Sequence, residues 1–268
     1  MRKLILLGTG NAMVTKCFNT CFAIQTQNEY FLVDAGGGNG ILTQLEKANI
    51  DLTKLHHLFV THAHTDHVLG VIWVIRKIAT LMNQGKYEGK FSIYCHDKVK
   101  YVIENIAQMT LKKKDLAQLG NNIIFEVVED GEQKAVLDMQ ILFFDILSKK
   151  EKQFGFSAEF EDGLTLCCLG DEPYNEACEI YAENRDWLLS EAFCLYEERE
   201  IFKPYEKHHS TVKEACELAE NLQVKNLVLY HSEDKNIANR KTLYTNEGKQ
   251  YYYGNLYVPN DLEVIDLK

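Results

Sequence analysis

Proline is scarce. Only three occur in 268 residues, at positions 173, 204 and 259, and no linker, internal repeat or low-complexity segment interrupts the chain, so a single domain over 1–268 is expected. None of the eight cysteines forms a Cys-x-x-Cys pair, and only Cys167 and Cys168 are adjacent. That pattern argues against a Cys-rich zinc site or a disulfide framework and for free thiols buried in a core. No apolar run approaches the ~20 residues of a membrane span. The opening Met1-Arg2-Lys3-Leu4-Ile5-Leu6-Leu7-Gly8 has a basic start, but its apolar run is shorter than the ~7–15 residues of a signal segment; it reads as a first buried strand. A cytoplasmic location and no membrane partner follow as expectations. Positive charge is also in deficit: 29 Lys and Arg face 39 Asp and Glu, a formal net charge of −10. Such a chain does not grip nucleic acid over its whole surface, and its only basic run, Lys112-Lys113-Lys114, reads as a solvated helix start.

What is present is an ordinary globular composition, 46% hydrophobic and 25% charged, in which short apolar runs alternate with helical patterns, the signature of an α/β layered fold. Strands are expected over 3–7, 20–26, 29–34, 57–61, 91–94, 123–128, 139–147, 154–161, 164–169, 187–190 and 226–230. Helices are expected over 40–48, 66–82, 98–107, 173–182 and 210–221, the last with Ser210 or Thr211 as N-cap. Turns fit Gln27-Asn28 and Asp162-Gly163. Four strands stop at polar residues of metal-ligand type: Asp34, the run from His62 to His67, Asp171 and His231. Strand ends on one edge of an α/β sheet are where such folds place their sites.

The run His62-Ala63-His64-Thr65-Asp66-His67 puts three histidines and an aspartate within six residues. Imidazole and carboxylate are the ordinary ligands of Zn²⁺ and of Fe or Mn. His62 and His64, two apart in an extended segment, point the same way. Asp66 and His67 follow at a helix start and can face a second metal position.

This run resembles the signature of the metallo-β-lactamase superfamily. Leu7-Gly8-Thr9-Gly10 with Asn19-Thr20 resembles the opening of its ribonuclease Z-like branch, Phe31-Leu32-Val33-Asp34-Ala35-Gly36 its strand-to-glycine motif, Leu169-Gly170-Asp171 the segment of the bridging aspartate, Leu229-Tyr230-His231 the final ligand, and His209-Ser210-Thr211 with Glu214-Ala215 the branch's His-Ser-Thr motif. The resemblance spans nearly the whole chain. It implies a four-layer αββα metallo-β-lactamase sandwich and a metal-dependent hydrolase, a ribonuclease Z-like phosphodiesterase. It implies that His62 and His64 hold one metal, that Asp66, His67 and His231 hold another, and that Asp171 bridges them. Asp66 would also orient the nucleophile, His209 would assist proton transfer, and Asp34 would brace the histidine loop. The implied cofactor is Zn²⁺, one or two per chain, with Mn²⁺ or Fe as alternatives. Members of the family are often homodimers.

The chain departs from this pattern at one ligand. Between His67 and His208 the only histidine is His96, too early for the family's remaining metal histidine, and Leu147 stands in its aligned place. Asp145 swinging in, a water, or an absent first metal are the three consequences left open; His62, His64 and Asp171 would still supply the three ligands with which a catalytic zinc works. The interval 147–171 leaves no room for the long arm of tRNA-processing members. With the acidic charge, this favours a small phosphodiester or ester over RNA. No His-Thr-Pro-Gly run of the lactamase and glyoxalase type exists, which points to phosphodiesters; a small ester or thioester hydrolase and a degenerate metal-binding protein are the alternatives. Gly8-Thr9-Gly10 and Gly36-Gly37-Gly38 lack the Lys-Ser or Lys-Thr of a P-loop and read as tight turns. His56 and His57 read as structural or exposed, Glu191 as a candidate for orienting His209, and the tyrosines from Tyr244 to Tyr257 as a hairpin packed on the core.

Overall fold

Two seven-stranded mixed sheets account for the apolar runs. The computed structural model describes residues 2–268. In chain order the strands are β1 (Arg2–Gly8), β2 (Cys21–Thr26), β3 (Glu29–Val33), β4 (Leu55–Phe59), β5 (Phe91–Cys95), β6 (Ile123–Val127), β7 (Gln133–Val136), β8 (Met139–Asp145), β9 (Phe154–Phe160), β10 (Thr165–Cys168), β11 (Trp187–Glu191), β12 (Asn226–Tyr230), β13 (Asn255–Tyr257) and β14 (Val264–Leu267). The helices are α1 (Gly40–Lys47), α2 (Thr65–Asn83), α3 (Asp97–Thr110), α4 (Lys113–Leu116), α5 (Glu179–Ala182), α6 (Arg199–Phe202), α7 (Val212–Asn221) and α8 (Arg240–Gly248).

The chain divides into two units, each with one sheet and its own helices. The first unit takes the N-terminal residues through Gly8, then Phe18–Glu129 and Asp261–Lys268. Its sheet runs β14-β1-β2-β3-β4-β5-β6, antiparallel as far as β3 and parallel from β3 to β6. The second takes Thr9–Cys17 and Asp130–Asn260, with sheet order β13-β12-β11-β10-β9-β8-β7, parallel from β13 to β10 and antiparallel beyond. Parallel strands are buried on both faces, so β11 and β12 are buried at every position, as unbroken apolar runs require.

Helix α2 shows how sequence becomes packing. Val68, Val71, Ile72, Ile75, Ile78 and Ala79 recur at helical spacing and enter the first unit's core with Leu32, Leu58 and Ile93. At Gly70 the helix comes closer still: its N–H donates to Gly36 O at 2.8 Å, and a Cβ there would lie 1.8 Å from Ala35 O. This contact, with Ala35 N–H donating to His67 O at 3.2 Å, clamps the first turn of α2 onto the segment after β3.

Several expectations are corrected. β8 ends at Asp145 rather than at 147, because Asp145 Oδ1 accepts the Leu147 N–H (2.8 Å) and Leu147 turns out of the strand at φ +58°. The helix expected over 173–182 is a 3₁₀ turn, Glu176–Cys178, followed by the single turn of α5; the Asn175 side chain accepts from Ala177 N and starts the turn late. The tyrosines from 244 onward do not form a hairpin. They span α8 and β13, which pairs parallel to β12, and Tyr244 and Tyr252 are core residues whose hydroxyls donate to Phe193 O and Val224 O. The N-terminal strand, the turn at Gln27-Asn28 between β2 and β3, and the exposed lysines at the start of α4 are found where expected. None of the eight cysteines forms a disulfide, and seven of them are buried.

Gly70→Ala tests the clamp. With backbone in the way rather than a flexible side chain, the methyl group costs about 2 kcal/mol or more, a fall in melting temperature of roughly 4–8 °C for a protein of this size. An unchanged melt would show that α2 does not depend on this close approach.

Candidate metal centre

In the first unit the site is built on one carboxylate. Asp34 follows β3 in a left-handed conformation (φ +55°), which a short polar side chain tolerates better than most. Its N–H donates to Phe59 O at the end of β4. Its Oδ1 accepts the Thr61 N–H at 2.9 Å, and its Oδ2 accepts the Thr61 hydroxyl at 2.8 Å and faces His67 Nδ1 at 2.7 Å. Asp34 therefore braces the histidine segment, as the resemblance implies. A carboxylate on Nδ1 holds the proton there and leaves Nε2 as the lone-pair nitrogen, the arrangement typical of metal-ligating histidine. Thr61 Oγ1 also lies 2.9 Å from His62 Nδ1, so His62 is oriented through the same network. Thr61 was not singled out from sequence; its signal is the hydroxyl immediately before the first histidine of the run.

His62, Asp66 and His67 are buried and His64 is half-buried at the N-cap of α2. His62 Nε2 and His64 Nδ1 converge to 2.8 Å, with the ring planes 83° apart, and His67 Nε2 lies 3.3 Å from Asp66 Oδ2.

The second unit presents a matching set. Asp171, buried, follows β10 through Gly170, which takes φ +81° and whose carbonyl accepts the Tyr230 hydroxyl. His231, buried and also left-handed (φ +58°), follows β12, with its Nε2 at 3.4 Å from Asp171 Oδ2. The other oxygen, Oδ1, accepts from the Gln153 amide at 2.5 Å. Gln153 carries no signal of this contact in its local sequence.

His209 completes this unit's cluster. Its ring stacks on Phe193 (centroids 4.8 Å, planes 10° apart), lies 5.1 Å from the His231 ring, and its Nδ1 is 3.6 Å from Glu191 Oε2. The other Glu191 oxygen accepts the Ser210 N–H. The next residue, Thr211, is the N-cap of α7, in a capping box with Glu214. The Glu191 carboxylate thus stands against the imidazole it was a candidate to orient. Burial opposes a charged imidazole, but Glu191, and behind it Asp171, outweigh that and hold the His209 pKa above its ordinary value. Burial in turn raises the Glu191 pKa, with His209 pulling it back. His208 is exposed and left-handed. Beside His209 opens a cavity of about 310 Å³ lined by Pro173, Tyr174, Ser190, Tyr205, Glu214 and Leu218.

Leu147 is 52% exposed and borders a second cavity of about 360 Å³, with Ser148, Lys149, Asn175 and His208. Asp145 spends one oxygen on the Leu147 N–H.

These side chains suit a divalent cation. Two donors 2.0–2.1 Å from a tetrahedral Zn²⁺ are about 3.3 Å apart. The pairs His62/His64, Asp66/His67 and Asp171/His231, at 2.8, 3.3 and 3.4 Å, lie near that spacing. The donors are mixed imidazole and carboxylate, as Zn, Mn or Fe accept.

Comparison with known proteins gives the family. The family described as Anti-Pycsar protein Apyc1 matches residues 2–250. The chain belongs to the Apyc1 family. It is also 27% identical over 281 residues to a ribonuclease Z of Thermococcus onnurineus, covering 86% of this chain and 85% of that protein. Among solved structures, the metallo-β-lactamase fold protein YhfI from Bacillus subtilis superposes with a TM-score of 0.78 at 18% identity, covering 98% of both chains. The short form of human tRNase Z superposes with a TM-score of 0.77 at 19% identity, covering 99% of both. This Apyc1-family chain therefore has the metallo-β-lactamase fold and falls in the ribonuclease Z-like branch of that superfamily. Among the described residues, no helix is long and apolar enough to cross a membrane.

The Glu191–His209 pair predicts a titration in this Apyc1-family protein. A histidine with a raised folded pKa contributes stability that is fully present below its unfolded value near 6.5 and is lost as pH rises through the folded value. Glu191→Gln removes the favourable carboxylate, so the His209 midpoint, followed by NMR of the labelled imidazole, moves to lower pH. Bound cations push the same way, so both proteins are compared at equal metal loading. An unmoved midpoint would show that Glu191 does not set it.

Proposed function

We propose that this chain is a metal-dependent phosphodiesterase that hydrolyses a small phosphodiester, and that residues 1–268 act as a single functional domain. The observation that carries the reading is the pairing of ligand-type atoms at metal-edge spacing in both units, three pairs in all. His62, His64, Asp66, His67, Asp171 and His231 would hold the metal, one or two Zn²⁺ per chain, with Mn²⁺ or Fe as alternatives. When bound, such cations supply Lewis acidity, lowering the pKa of water towards neutrality and neutralising phosphoryl oxygens.

The chain's own groups do the rest. The buried Asp66 carboxylate orients the attacking water and accepts its proton. His209, kept protonated by Glu191, donates a proton from Nε2 to the ester oxygen as the P–O bond breaks. Phe193 fixes the plane of that ring. Asp34 and Thr61 hold His67 and His62 in one tautomer, so little reorganisation is needed on substrate binding.

A small substrate is favoured over RNA by the −10 charge and by the size of the cavity beside His209, about 310 Å³, at the lower end for small-molecule sites. The interval 147–171 is filled by β9 and β10, with no inserted arm. The family's description, anti-Pycsar, names a counteracting role, and we carry that role to this chain through the same hydrolysis. A cytoplasmic setting and a homodimer complete the proposal.

Purified protein supplied with Zn²⁺ or Mn²⁺ is expected to hydrolyse bis(p-nitrophenyl) phosphate, with His209→Ala lowering kcat by about 10²–10⁴ at unchanged metal content. Metal content by mass spectrometry on wild type and Leu147→His tests the altered ligand: the variant should gain about one metal and activity. Two metals already present in wild type would show that another group replaces the histidine. No turnover with either metal would leave a metal-binding protein without this chemistry.

A further inference from the structure

Sheet register places one more side chain against the proposed ligands. β9 and β10 pair antiparallel, with Thr165 opposite Glu159 and Cys168 opposite Phe156. Continuing that register past the end of β10 brings Gln153 opposite Asp171. On its other side β9 pairs with β8, Asp145 opposite Phe154, and Ile146 N–H donates to Gln153 O at 3.0 Å, so the ladder holds the Gln153 backbone in line. Gln153 is 1% exposed, and its amide Nε2 donates to Asp171 Oδ1 at 2.5 Å. Gly170, between strand and aspartate, is left-handed, and a Cβ there would lie 2.8 Å from Gln153 Nε2. The glycine is needed both for the turn and for the close approach of the amide.

We propose that Gln153 is a positioning residue for the metal centre: its amide occupies Oδ1 of Asp171 and thereby presents Oδ2 alone, on the side of His231, as the ligand oxygen. The proposal rests on Asp171 being a metal ligand. A neutral donor suits the task. It fixes the carboxylate without supplying a positive charge that would compete with the cation, whereas a lysine or arginine there would form an ion pair and weaken the ligand. Partners of this kind, one bond removed from the metal, are worth about 10–100-fold in metal affinity. Here the hold has added weight, because Leu147 removes one imidazole from the expected donors and each remaining donor carries a larger share of the binding.

The test is read in metal affinity, with no substrate present. Gln153→Leu removes the amide at similar volume; Gln153→Glu keeps the shape and replaces the donor by a carboxylate facing Asp171. Zn²⁺ dissociation constants come from competition with a chromophoric chelator on metal-free protein shown to be folded by its melt. The Co²⁺-substituted protein reports ligand geometry through its visible absorption. The expected result is affinity weakened about 10–100-fold in Gln153→Leu and at least as far in Gln153→Glu, with an altered Co²⁺ spectrum in both. If Gln153→Leu fails to fold, Gln153→Glu carries the comparison. Affinity within twofold of wild type, with an unchanged Co²⁺ spectrum in a folded variant, overturns the proposal. Failure of the phosphodiesterase reading would instead appear as absent turnover in wild type with normal metal affinity, so the two outcomes are separable.

Discussion

The Asp34 carboxylate is the constraint on which the first unit's site depends. One buried side chain receives the Thr61 N–H, the Thr61 hydroxyl and the His67 ring. It joins the end of β3, the segment after β4 and the first turn of α2. Buried carboxylates are costly unless their oxygens are matched, and here each oxygen is matched by a group that in turn fixes a histidine. The left-handed backbone of Asp34 and the absence of a side chain at Gly70 serve the same join, because α2 can bring His67 to the carboxylate only if its first turns lie against Ala35 and Gly36. Local strain and close packing are thus concentrated where the direction of the His67 ring is set.

The second unit repeats this arrangement. Each sheet has three antiparallel and three parallel strand pairings, and in each the polar residues stand at or just beyond the C-terminal ends of the parallel strands. In the first sheet Asp34 follows β3, the histidine run follows β4 and His96 follows β5. In the second Asp171 follows β10, Glu191 ends β11 and His231 follows β12. Parallel strands need long crossovers, and the loops that leave their C-terminal ends are free of ladder hydrogen bonding, so reactive side chains are affordable there. The carboxylate at each leading position is held differently: by a hydroxyl, a backbone N–H and an imidazole in one unit, and by an amide in the other.

What the sequence made legible follows from the range of the interactions. The run from His62 to His67 is contiguous, so its chemistry could be read without a fold, and the strands before it announced themselves as apolar runs. Gln153 has no local signal: its partner is reached only through the β9–β10 register, eighteen residues along the chain. β14 escaped notice because Val264-Ile265-Asp266-Leu267 buries only Ile265 and Leu267. α8 did so because its buried strip is Arg240, Tyr244 and Gly248, with almost no apolar periodicity. The helix expected from Pro173 failed because an Asn175 side-chain bond outweighs propensity and delays the turn. Glu191 was visible as a candidate, but its approach to His209 depends on β11 and the start of α7 converging, through the bond from Ser210 N–H.

The leucine at 147 bears on how much of a metal site can be lost before the rest becomes untenable. Imidazoles are neutral donors, and the two carboxylates, Asp66 and Asp171, carry the negative charge among the proposed ligands. Replacing an imidazole by leucine removes one bond but leaves the charge facing a cation unchanged. Losing a carboxylate would remove charge as well, and a dication in a buried site would then be poorly balanced. The converse holds for the protein: Asp66 and Asp171 are 6% and 5% exposed, and two anionic side chains kept at that depth cost far more without a cation than with one. Each is better matched with a cation beside it, and Asp171 has in addition the buried Gln153 amide on Oδ1. Buried carboxylate is therefore the stronger argument for the proposed cation, and that argument does not depend on the residue at 147.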